Sequence, residues 1–295
     1  MDGVGPPLVS GVSVSGKRVI VRCDLEGDAD SPRFMAAAAI VEYLKSNQAA
    51  EIKVVGHEGA EWMVQRLGVE VDWDLRRDPR EKENDSGFAK ELAEGFDVYV
   101  NEAFATSHRE HASVVALPRL MKRQGKIACV GQRFEREMEM LGEVSSKSNS
   151  KRKILVIGGI KVEDKERYAQ ELTGKFDEIL KGGLLPGVKL REDGLDLSDE
   201  VIERYKKVIA EAGVIVAAGV MGKYEDPGAE KGTREILNAI VAGGAYKVAG
   251  GGDLEAAINK YNLTERFDWI SVGGGAMFEY LARGALVGLR AVTNK

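Results

Sequence analysis

The chain is poor in cysteine, because its 295 residues include only Cys23 and Cys129, and both lie in apolar stretches. Their spacing fits neither a CxxC motif nor a set of metal ligands. We therefore predict two buried free thiols, as is usual in a reducing compartment. Residues 1–16 lack the basic flank and apolar core of a signal peptide, so the sequence predicts a cytoplasmic protein.

An excess of basic residues is also lacking. Lys and Arg number 42 against 47 Asp and Glu, which gives a formal net charge of −5. Such a chain is not expected to bind nucleic acid or acidic membranes through its bulk surface. No apolar run approaches the length that crosses a bilayer. An anionic small-molecule ligand would therefore need a local cluster of basic side chains.

Several nucleotide-binding motifs are missing as well. The sequence has no GxxxxGK[ST] loop, since the segment Gly219–Lys223 has the wrong spacing, and it has no His-Arg-Asp catalytic loop. A lone dinucleotide fingerprint is also absent. These absences disfavour P-loop kinases, protein kinases and dehydrogenases.

The chain does contain three glycine runs, each of which ends a β-like segment and opens a helix-like one. Glycine allows close approach of the backbone to a ligand, and a helix N-terminus offers free N–H groups to anions. A phosphate-rich ligand is the simplest interpretation. The runs are Gly158-Gly159, followed by Lys161 and Lys165; Gly250-Gly251-Gly252, followed by Asp253; and Gly273-Gly274-Gly275.

Strand-like and helix-like segments alternate, which predicts βαβ units and largely parallel sheets. The length favours two domains, with a boundary in the polar stretch Ser145–Arg152 and a joining helical segment at Arg133–Leu141. The strand-like segments are Arg18–Arg22, Ile52–Val55, Val98–Val100, Ile127–Val130, Lys153–Ile157, Val214–Ala217, Tyr246–Val248 and Trp269–Val272. The helix-like segments are Met35–Lys45, Gly87–Glu94, Ala112–Gln124, Asp164–Leu172, Asp199–Glu211, Thr233–Val241, Leu254–Lys260 and Ala276–Leu281.

Six motifs, in this order, resemble the phosphoglycerate kinases. Together they cover nearly the whole chain, so the resemblance rests on the ordered set and not on one glycine run. The motifs are Arg18–Asp24, Phe88–Ala93, Val98–Phe104 continuing through Thr106–Arg109 to His111–Ser113, Gly158–Lys165, Gly250–Asp253 and Ser271–Ala276.

The resemblance implies an α/β fold of two doubly wound, Rossmann-like parallel-sheet domains, reduced in size, that face a central cleft and are joined by a helix. It assigns residues 1–145 to 3-phosphoglycerate, 146–280 to the nucleotide and 281–295 to a segment that returns to the first domain. It also implies a monomer that transfers a phosphoryl group between 1,3-bisphosphoglycerate and ADP, with Mg²⁺ and hinge closure.

On the acid side, Arg33 matches the family arginine nearest the reacting group, and Asp24 matches an aspartate that accepts a hydrogen bond from the substrate hydroxyl. Taken singly, each arginine is more often a member of a surface ion pair. The cluster around the distal phosphate is matched by His57, Arg76 and Arg109, whereas the flanking His108 and His111 are predicted to be structural.

On the nucleotide side, Lys161 matches the lysine that contacts the moving phosphoryl group, and Lys165 matches one that holds nucleotide phosphate. Asp253 matches the ligand of the nucleotide-associated Mg²⁺, although it also suits a helix N-cap. Glu225 matches a glutamate on the ribose. The matching backbone positions are Gly158, Gly159, Gly182, Gly250, Gly251 and Gly252.

Some positions depart from the family pattern. Ala60 stands where an arginine contacts the distal phosphate, and Glu26 stands where an asparagine lies beside the same substrate. Losing one charge-assisted contact costs roughly 1.5–3 kcal/mol. On the nucleotide side the departures are Ala218, Leu254 and Val272. The resemblance also implies that material is missing after His57, where a helix and a strand normally lie, and after Gly183.

These departures leave two alternatives open beside the kinase itself. One is a catalytically silent relative that binds nucleotide or a partner, and the other is a kinase for a different carboxylic acid. Arg33, Lys161 and Asp253 favour an active enzyme, because a silent relative would be expected to lose unpaired central charges first.

Overall fold

The computed structural model describes residues 5–146 and 152–293. They divide into two compact units: unit 1 is Met1–Met138 with Ala285–Lys295, and unit 2 is Glu139–Gly284. Most of the predicted boundary, residues 147–151, lies outside the described residues. The C-terminal residues therefore belong to the same unit as the N-terminal half.

The described residues form ten strands and eleven α-helices. The strands are β1 Arg18–Asp24, β2 Glu51–His57, β3 Glu70–Asp72, β4 Val98–Asn101, β5 Ile127–Val130, β6 Lys153–Ile157, β7 Glu178–Lys181, β8 Val214–Ala218, β9 Tyr246–Gly250 and β10 Trp269–Ser271. The helices are α1 Pro32–Ser46, α2 Trp62–Leu67, α3 Ser86–Ala93, α4 Leu117–Arg123, α5 Gln132–Ser146, α6 Val162–Glu171, α7 Asp199–Ala210, α8 Lys231–Ala242, α9 Gly252–Lys260, α10 Gly274–Arg283 and α11 Val287–Val292.

Unit 1 is built on a five-stranded parallel sheet of order β3-β2-β1-β4-β5. The central strand β1 is buried from Val19 to Asp24, as expected for a parallel strand covered on both faces. Helix α1 begins where Ser31 accepts a hydrogen bond from the amide of Phe34, with Pro32 at the first helical position. Each strand therefore delivers its carboxyl end, and the loop after it, to one edge of the sheet.

Unit 2 repeats this design with a parallel sheet of order β10-β9-β8-β6-β7. Strand β8 lies in the middle and is buried throughout. The glycine runs follow β6, β9 and β10, so all three lie at the carboxyl edge. The prediction of two parallel-sheet α/β domains is confirmed.

All eight predicted strands are present, but β3 and β7 were missed. Both are edge strands of three or four residues, too short to show a periodic pattern. Material is expected to be missing after His57, where the family has a helix and a strand, and this stretch holds the short helix α2 and the short strand β3.

The helix predicted at Ala112–Gln124 has two parts. A π-helical turn spans Ala112–Ala116, and the α-helix α4 follows it. Helix α11 packs on this region of unit 1, where the amide of Gly288 donates a hydrogen bond to the carbonyl of Ser107 at 2.9 Å.

Both cysteines are buried and free, as predicted. Burial raises the pKa of the Cys129 thiol to about 12 and also raises that of Cys23. Among the described helices, none has the length and apolar character needed to cross a bilayer.

Candidate active site

The predicted acid-side residues of unit 1 all lie at or after the carboxyl ends of its strands. Asp24 ends β1 and lies opposite His57, which ends β2, in the parallel register. Arg33 lies in the first turn of α1, Arg76 in a turn after β3, and Arg109 in the loop after β4. This edge is where open parallel sheets bind their ligands.

His57 is buried, and both of its ring nitrogens have partners. Arg22 Nη2 lies 2.9 Å from Nδ1, and Glu81 Oε1 lies 2.7 Å from Nε2. Because a guanidinium can only donate, Nδ1 accepts and Nε2 carries the proton. Burial, together with the charge of Arg22, lowers the pKa of His57 to about 4, so the ring is neutral at pH 7. Its contact with substrate stays a prediction.

Glu81 is the centre of this network, and it was not predicted from the sequence. Its carboxylate accepts hydrogen bonds from the His57 ring, from the Ser113 amide at 2.9 Å and from the Ser113 hydroxyl at 2.6 Å. Burial alone would raise its pKa, but these bonds and the charge of Arg22 lower it to about 2. Glu81 is therefore a buried anion that fixes the position of His57.

Arg22 was also overlooked, although the sequence carries a signal for it. It is fully buried within the apolar strand β1, and its Nε donates to Ser113 Oγ at 3.0 Å. A charge inside an apolar strand requires a buried partner. That requirement could have directed attention to a compensating acid, although not to Glu81 in particular.

Asp24 is held in place by the loop after β4. One carboxylate oxygen accepts from the amide of Ala105 at 2.8 Å, and the other accepts from the hydroxyl of Thr106. Arg22 Nη1 lies 3.8 Å from the same carboxylate. The side chain is thus oriented, and its hydrogen bond to a substrate hydroxyl stays a prediction.

Two buried nitrogen atoms in the region of Arg76 and Arg109 lack hydrogen-bond partners. Within the described residues, Arg76 Nε and His111 Nδ1 are buried without a hydrogen-bond partner. Burial and the charges of Arg109 and Arg22 lower the pKa of Arg76. Crowded cations with an unpartnered donor are typical of an anion site. A bound anion would reduce the repulsion between the arginines and accept a hydrogen bond from the unpartnered donor.

Two of the predicted arginines already pair with glutamates. Arg33 forms an ion pair with Glu26, and Arg76 forms one with Glu58. Glu26 belongs to the loop after β1, and Glu58 directly follows β2. Glu26 stands where the resemblance expects an asparagine. The predicted catalytic Arg33 is thus in contact with a carboxylate at that position.

His57, Glu81 and His111 present metal-ligand atoms within 4.8 Å of one another. A metal at His57 Nε2 would have to displace the proton there. Arg22 occupies Nδ1 as a donor and keeps that proton on Nε2. The cluster is therefore better explained as a hydrogen-bonded support than as a metal centre.

In unit 2 the glycine residues allow three loops to approach one another. Gly219 has a φ of +83°, and a Cβ added there would lie 2.0 Å from the carbonyl oxygen of Gly158. A Cβ at Gly183, with a φ of +61°, would lie 2.5 Å from the backbone nitrogen of Gly159. The loops after β6, β7 and β8 thus meet at this edge without side chains between them.

Lys161 and Lys165 begin the helix that follows the first glycine run. Lys161 is the residue before α6 and is exposed, and the amide of Lys165 donates to its carbonyl at 3.2 Å. Lys165 Nζ lies 5.1 Å from the ring centroid of Phe278. Burial lowers the pKa of Lys165 to about 8, while the nearby carboxylate of Asp253 acts in the opposite direction.

A cavity of about 560 Å³ opens beside these loops. Leu184, Leu195 and Met221 contribute to its largely apolar wall, and the predicted residues Gly159, Glu225 and Asp253 also line it. Asp253 lies in the first turn of α9, whose N-cap is Gly251. The other predicted nucleotide residues do not line this cavity: Gly158, Lys161, Lys165, Gly182, Gly250, Gly251 and Gly252.

The loop between β7 and α7 forms one wall of this cavity through residues that include Leu184 and Leu195. Asp196 is fully buried and accepts hydrogen bonds from the amides of Gly232 at 2.7 Å and Leu197 at 2.8 Å. The amide of Lys223 donates to the carbonyl of Leu195 at 2.8 Å. Asp196 thus fixes the wall, a role that the sequence did not reveal.

The nucleotide-side departures are buried. Leu254 belongs to the apolar core of unit 2, Ala218 ends the central strand β8, and Val272 follows β10. Their side chains therefore contribute packing, which leaves the backbone groups of the glycine loops in place.

The chain is similar to known proteins of one family over most of its length. The model of the phosphoglycerate kinase family matches residues 35–190 and 185–283. A phosphoglycerate kinase of Thermomicrobium roseum is 31% identical over 329 aligned positions, which cover 89% of this chain and 82% of that protein. One from Methanopyrus kandleri is 30% identical, covering 77% of this chain and 68% of that one.

Solved structures show the same fold. Phosphoglycerate kinase from Coxiella burnetii has a TM-score of 0.81 at 23% identity, with 97% of this chain and 98% of that chain covered. The enzyme from Pyrococcus horikoshii has a TM-score of 0.79 at 22% identity, with the same coverage. The 329 aligned positions with the Thermomicrobium protein exceed the 295 residues of this chain, so that relative carries segments that are lacking here.

Proposed function

The chain belongs to the phosphoglycerate kinase family, and from that premise we propose that it transfers a phosphoryl group reversibly between 1,3-bisphosphoglycerate and ADP. The products are 3-phosphoglycerate and ATP. Phosphoryl transfer requires little covalent help from the protein, whose task is to align the reactants and neutralise developing charge.

The observation that carries the proposal is the half-buried Lys165 of α6, which interacts with Asp253 in the first turn of α9, where both helices follow glycine runs. Its ammonium is only partly compensated, as its lowered pKa of about 8 indicates. Nucleotide phosphate would supply the missing negative charge. The adjoining apolar cavity of about 560 Å³ is suited to the adenosine.

Lys161 is proposed to contact the transferring phosphoryl group, and Arg33 to stabilise charge on the reacting carboxyl-phosphate. Lys161 is exposed at the start of α6, so its flexible side chain can follow a moving group. Arg33 offers a planar pair of donors to phosphate oxygens. His57, Arg76 and Arg109 are proposed to surround the distal phosphate, and Asp24 to accept a hydrogen bond from the substrate hydroxyl.

Asp253 fits a magnesium ion that arrives with the nucleotide. Its carboxylate lines the cavity next to Lys165, and Mg²⁺ prefers one or two carboxylates together with phosphate oxygens and water. When bound, the ion would neutralise phosphate charge. Asp253, through the ion, and Lys165, through its ammonium, would then both orient the phosphate chain.

The acid and the nucleotide are assigned to different units, so transfer requires the reacting groups to approach with water excluded. We propose that closure of this kind precedes each turnover. A cytoplasmic monomer that acts on small molecules is part of the same proposal.

The test is a coupled assay of the purified protein with 3-phosphoglycerate, ATP and Mg²⁺. Lys161→Ala should lower turnover at least about 100-fold, because a charge that stabilises the transition state is removed. Lys207→Ala, an exposed lysine in the last turn of α7, is the matched control and should behave like the wild type. Equal turnover in the Lys161→Ala variant would contradict the assigned role.

A kinase for a different carboxylic acid is the second candidate, and the pairing of Arg33 with Glu26 is the observation that favours it. It predicts that ATP binds in calorimetry while 3-phosphoglycerate supports no turnover. Another acid would then support turnover that Lys161→Ala removes.

A further inference from the structure

The acid side of unit 1 contains two carboxylates directed at its own arginines. Glu26 pairs with Arg33, and Glu58 pairs with Arg76. The two arginine side chains are 26% and 19% exposed, so each pair lies at the protein surface and is open to exchange. Within the described residues, Arg109 has no carboxylate within ion-pair distance.

The two glutamates lie where a ligand would lie. They follow β1 and β2, the strands that end in Asp24 and His57, at the ligand-binding edge of the sheet. Arg76 contributes a buried Nε without a partner, so its guanidinium is only partly satisfied by Glu58. A carboxylate thus occupies part of a site that retains capacity for an anion.

The backbone at Glu58 supports this interpretation. Its φ of +54° is in the left-handed region, which residues other than glycine and asparagine rarely adopt. Such conformations persist only where the surrounding structure holds them, and they cluster at functional sites. From this position the carboxylate of Glu58 reaches Arg76, although the side chain stays 55% exposed.

Resting on the proposed function, we infer that Glu26 and Glu58 compete with the acid substrate for Arg33 and Arg76 and so set its affinity. The anionic acid binds by exchange, in which its oxygens take the places of the two carboxylates. Exchange is feasible because both ion pairs are partly exposed to solvent, which weakens the attraction between the charges. The acid therefore binds less tightly than the three arginines alone would allow.

The inference separates affinity from catalysis. Glu26→Gln and Glu58→Gln each keep the shape of the side chain and remove its charge. Each should lower the KM and the Kd for 3-phosphoglycerate about fivefold or more, and the double variant should show the larger gain. The kcat and the KM for ATP should stay near wild-type values. A general structural effect would instead change these constants as well.

The matched control is Glu42→Gln. Glu42 lies on α1, as Arg33 does, but it is exposed and pairs with Lys45. Glu42→Gln removes the same charge at a residue outside the acid-side cluster, so the affinity for 3-phosphoglycerate should not change. A gain of the same size in this variant would mean that net charge, and not exchange, sets the affinity.

Calorimetric titration of 3-phosphoglycerate is measured beside the kinetics, so the two proposals can fail separately. Tighter binding in the Glu26→Gln and Glu58→Gln variants without any turnover would support the exchange and overturn the kinase activity. Turnover with unchanged or weakened 3-phosphoglycerate binding would overturn the exchange and leave the kinase activity. No binding by any variant, the double variant included, would also overturn the exchange.

Discussion

Unit 1 and unit 2 each contain a five-stranded parallel sheet, yet one forms its candidate site mainly from side chains and the other mainly from backbone. In unit 1 the site depends on side chains that are buried and bonded to one another, with Arg22, His57, Glu81 and Ser113 in one network. In unit 2 it depends on backbone: glycine loops approach one another beside an apolar cavity, and Lys165 and Asp253 supply the charges.

This difference has an energetic consequence. A buried network loses much of its stability when one charged member is removed, because the partner is left unpaired. A backbone site tolerates side-chain change but not an added Cβ. The departures Leu254 and Val272 agree with this pattern, since they change buried side chains near loops whose backbone groups remain.

The largest expected effect is in the unit 1 network. Glu81→Ala leaves His57 and Ser113 without their buried acceptor and removes the negative charge near Arg22, so we expect the free energy of unfolding to fall by about 3–5 kcal/mol. Urea unfolding measures this as a lower midpoint at an unchanged slope. The neighbouring Glu83→Ala is the control, because Glu83 is exposed. A small loss for Glu81→Ala would contradict the network as its source.

An added Cβ tests the backbone site of unit 2. Gly219→Ala must displace the loop at Gly158, so ATP affinity should fall by about 10- to 100-fold, as for the loss of a hydrogen bond to a charged group. Gly174→Ala is matched, because Gly174 also has a φ of +83° but has no atom within 4 Å of the added Cβ. It carries the same backbone strain and should keep ATP affinity. Equal losses in calorimetry would assign the effect to strain.

The two units also differ in how far the sequence alone predicts them. The glycine runs, Lys161 and Lys165 were found because their signal is local: an apolar strand, then glycine, then lysines one helical turn apart. The parallel sheets followed from the alternation of segments. These features belong to stretches of about ten residues, where strand and helix periods are readable.

The unit 1 network could not be found in the same way. Glu81 lies in a charged stretch, Pro79–Asp85, and nothing in the sequence distinguishes it from the solvent-exposed acidic residues around it. Its partners are 24 residues away at His57 and 32 residues away at Ser113. Its burial is therefore a property of the tertiary fold. The pairing of Arg33 with Glu26 was hidden for a related reason, since an ion pair depends on side-chain placement.

The pH dependence of nucleotide binding sharpens the role of Lys165. Its pKa of about 8 means that the free ammonium is charged below pH 8 and loses its proton above it. Bound phosphate favours the charged form, so binding above pH 8 takes up a proton, and ATP affinity should fall by up to about tenfold per pH unit. Calorimetry in two buffers of different ionisation enthalpy measures both the affinity and the proton uptake.

Lys165→Arg is the control for this titration, because a guanidinium stays charged throughout. Its ATP affinity should vary little between pH 7 and pH 9.5, whatever its absolute value. A wild-type affinity that is equally flat, with no proton uptake, would show that Lys165 does not meet the nucleotide phosphates.

The smallest effect is expected at the rim of the unit 2 cavity. Lys223 lines the cavity, but its side chain is 60% exposed and pairs with Asp226 at 2.7 Å. Its structural contact is made by its amide, which donates to Leu195 and survives a change of side chain. Lys223→Ala should therefore change the Kd for ATP by less than about threefold, because an exposed ion pair contributes little. A tenfold loss of affinity would instead mean that a side chain, and not only backbone, binds the nucleotide on this side of the cavity. The site of unit 2 would then depend on side chains as well, as the site of unit 1 does.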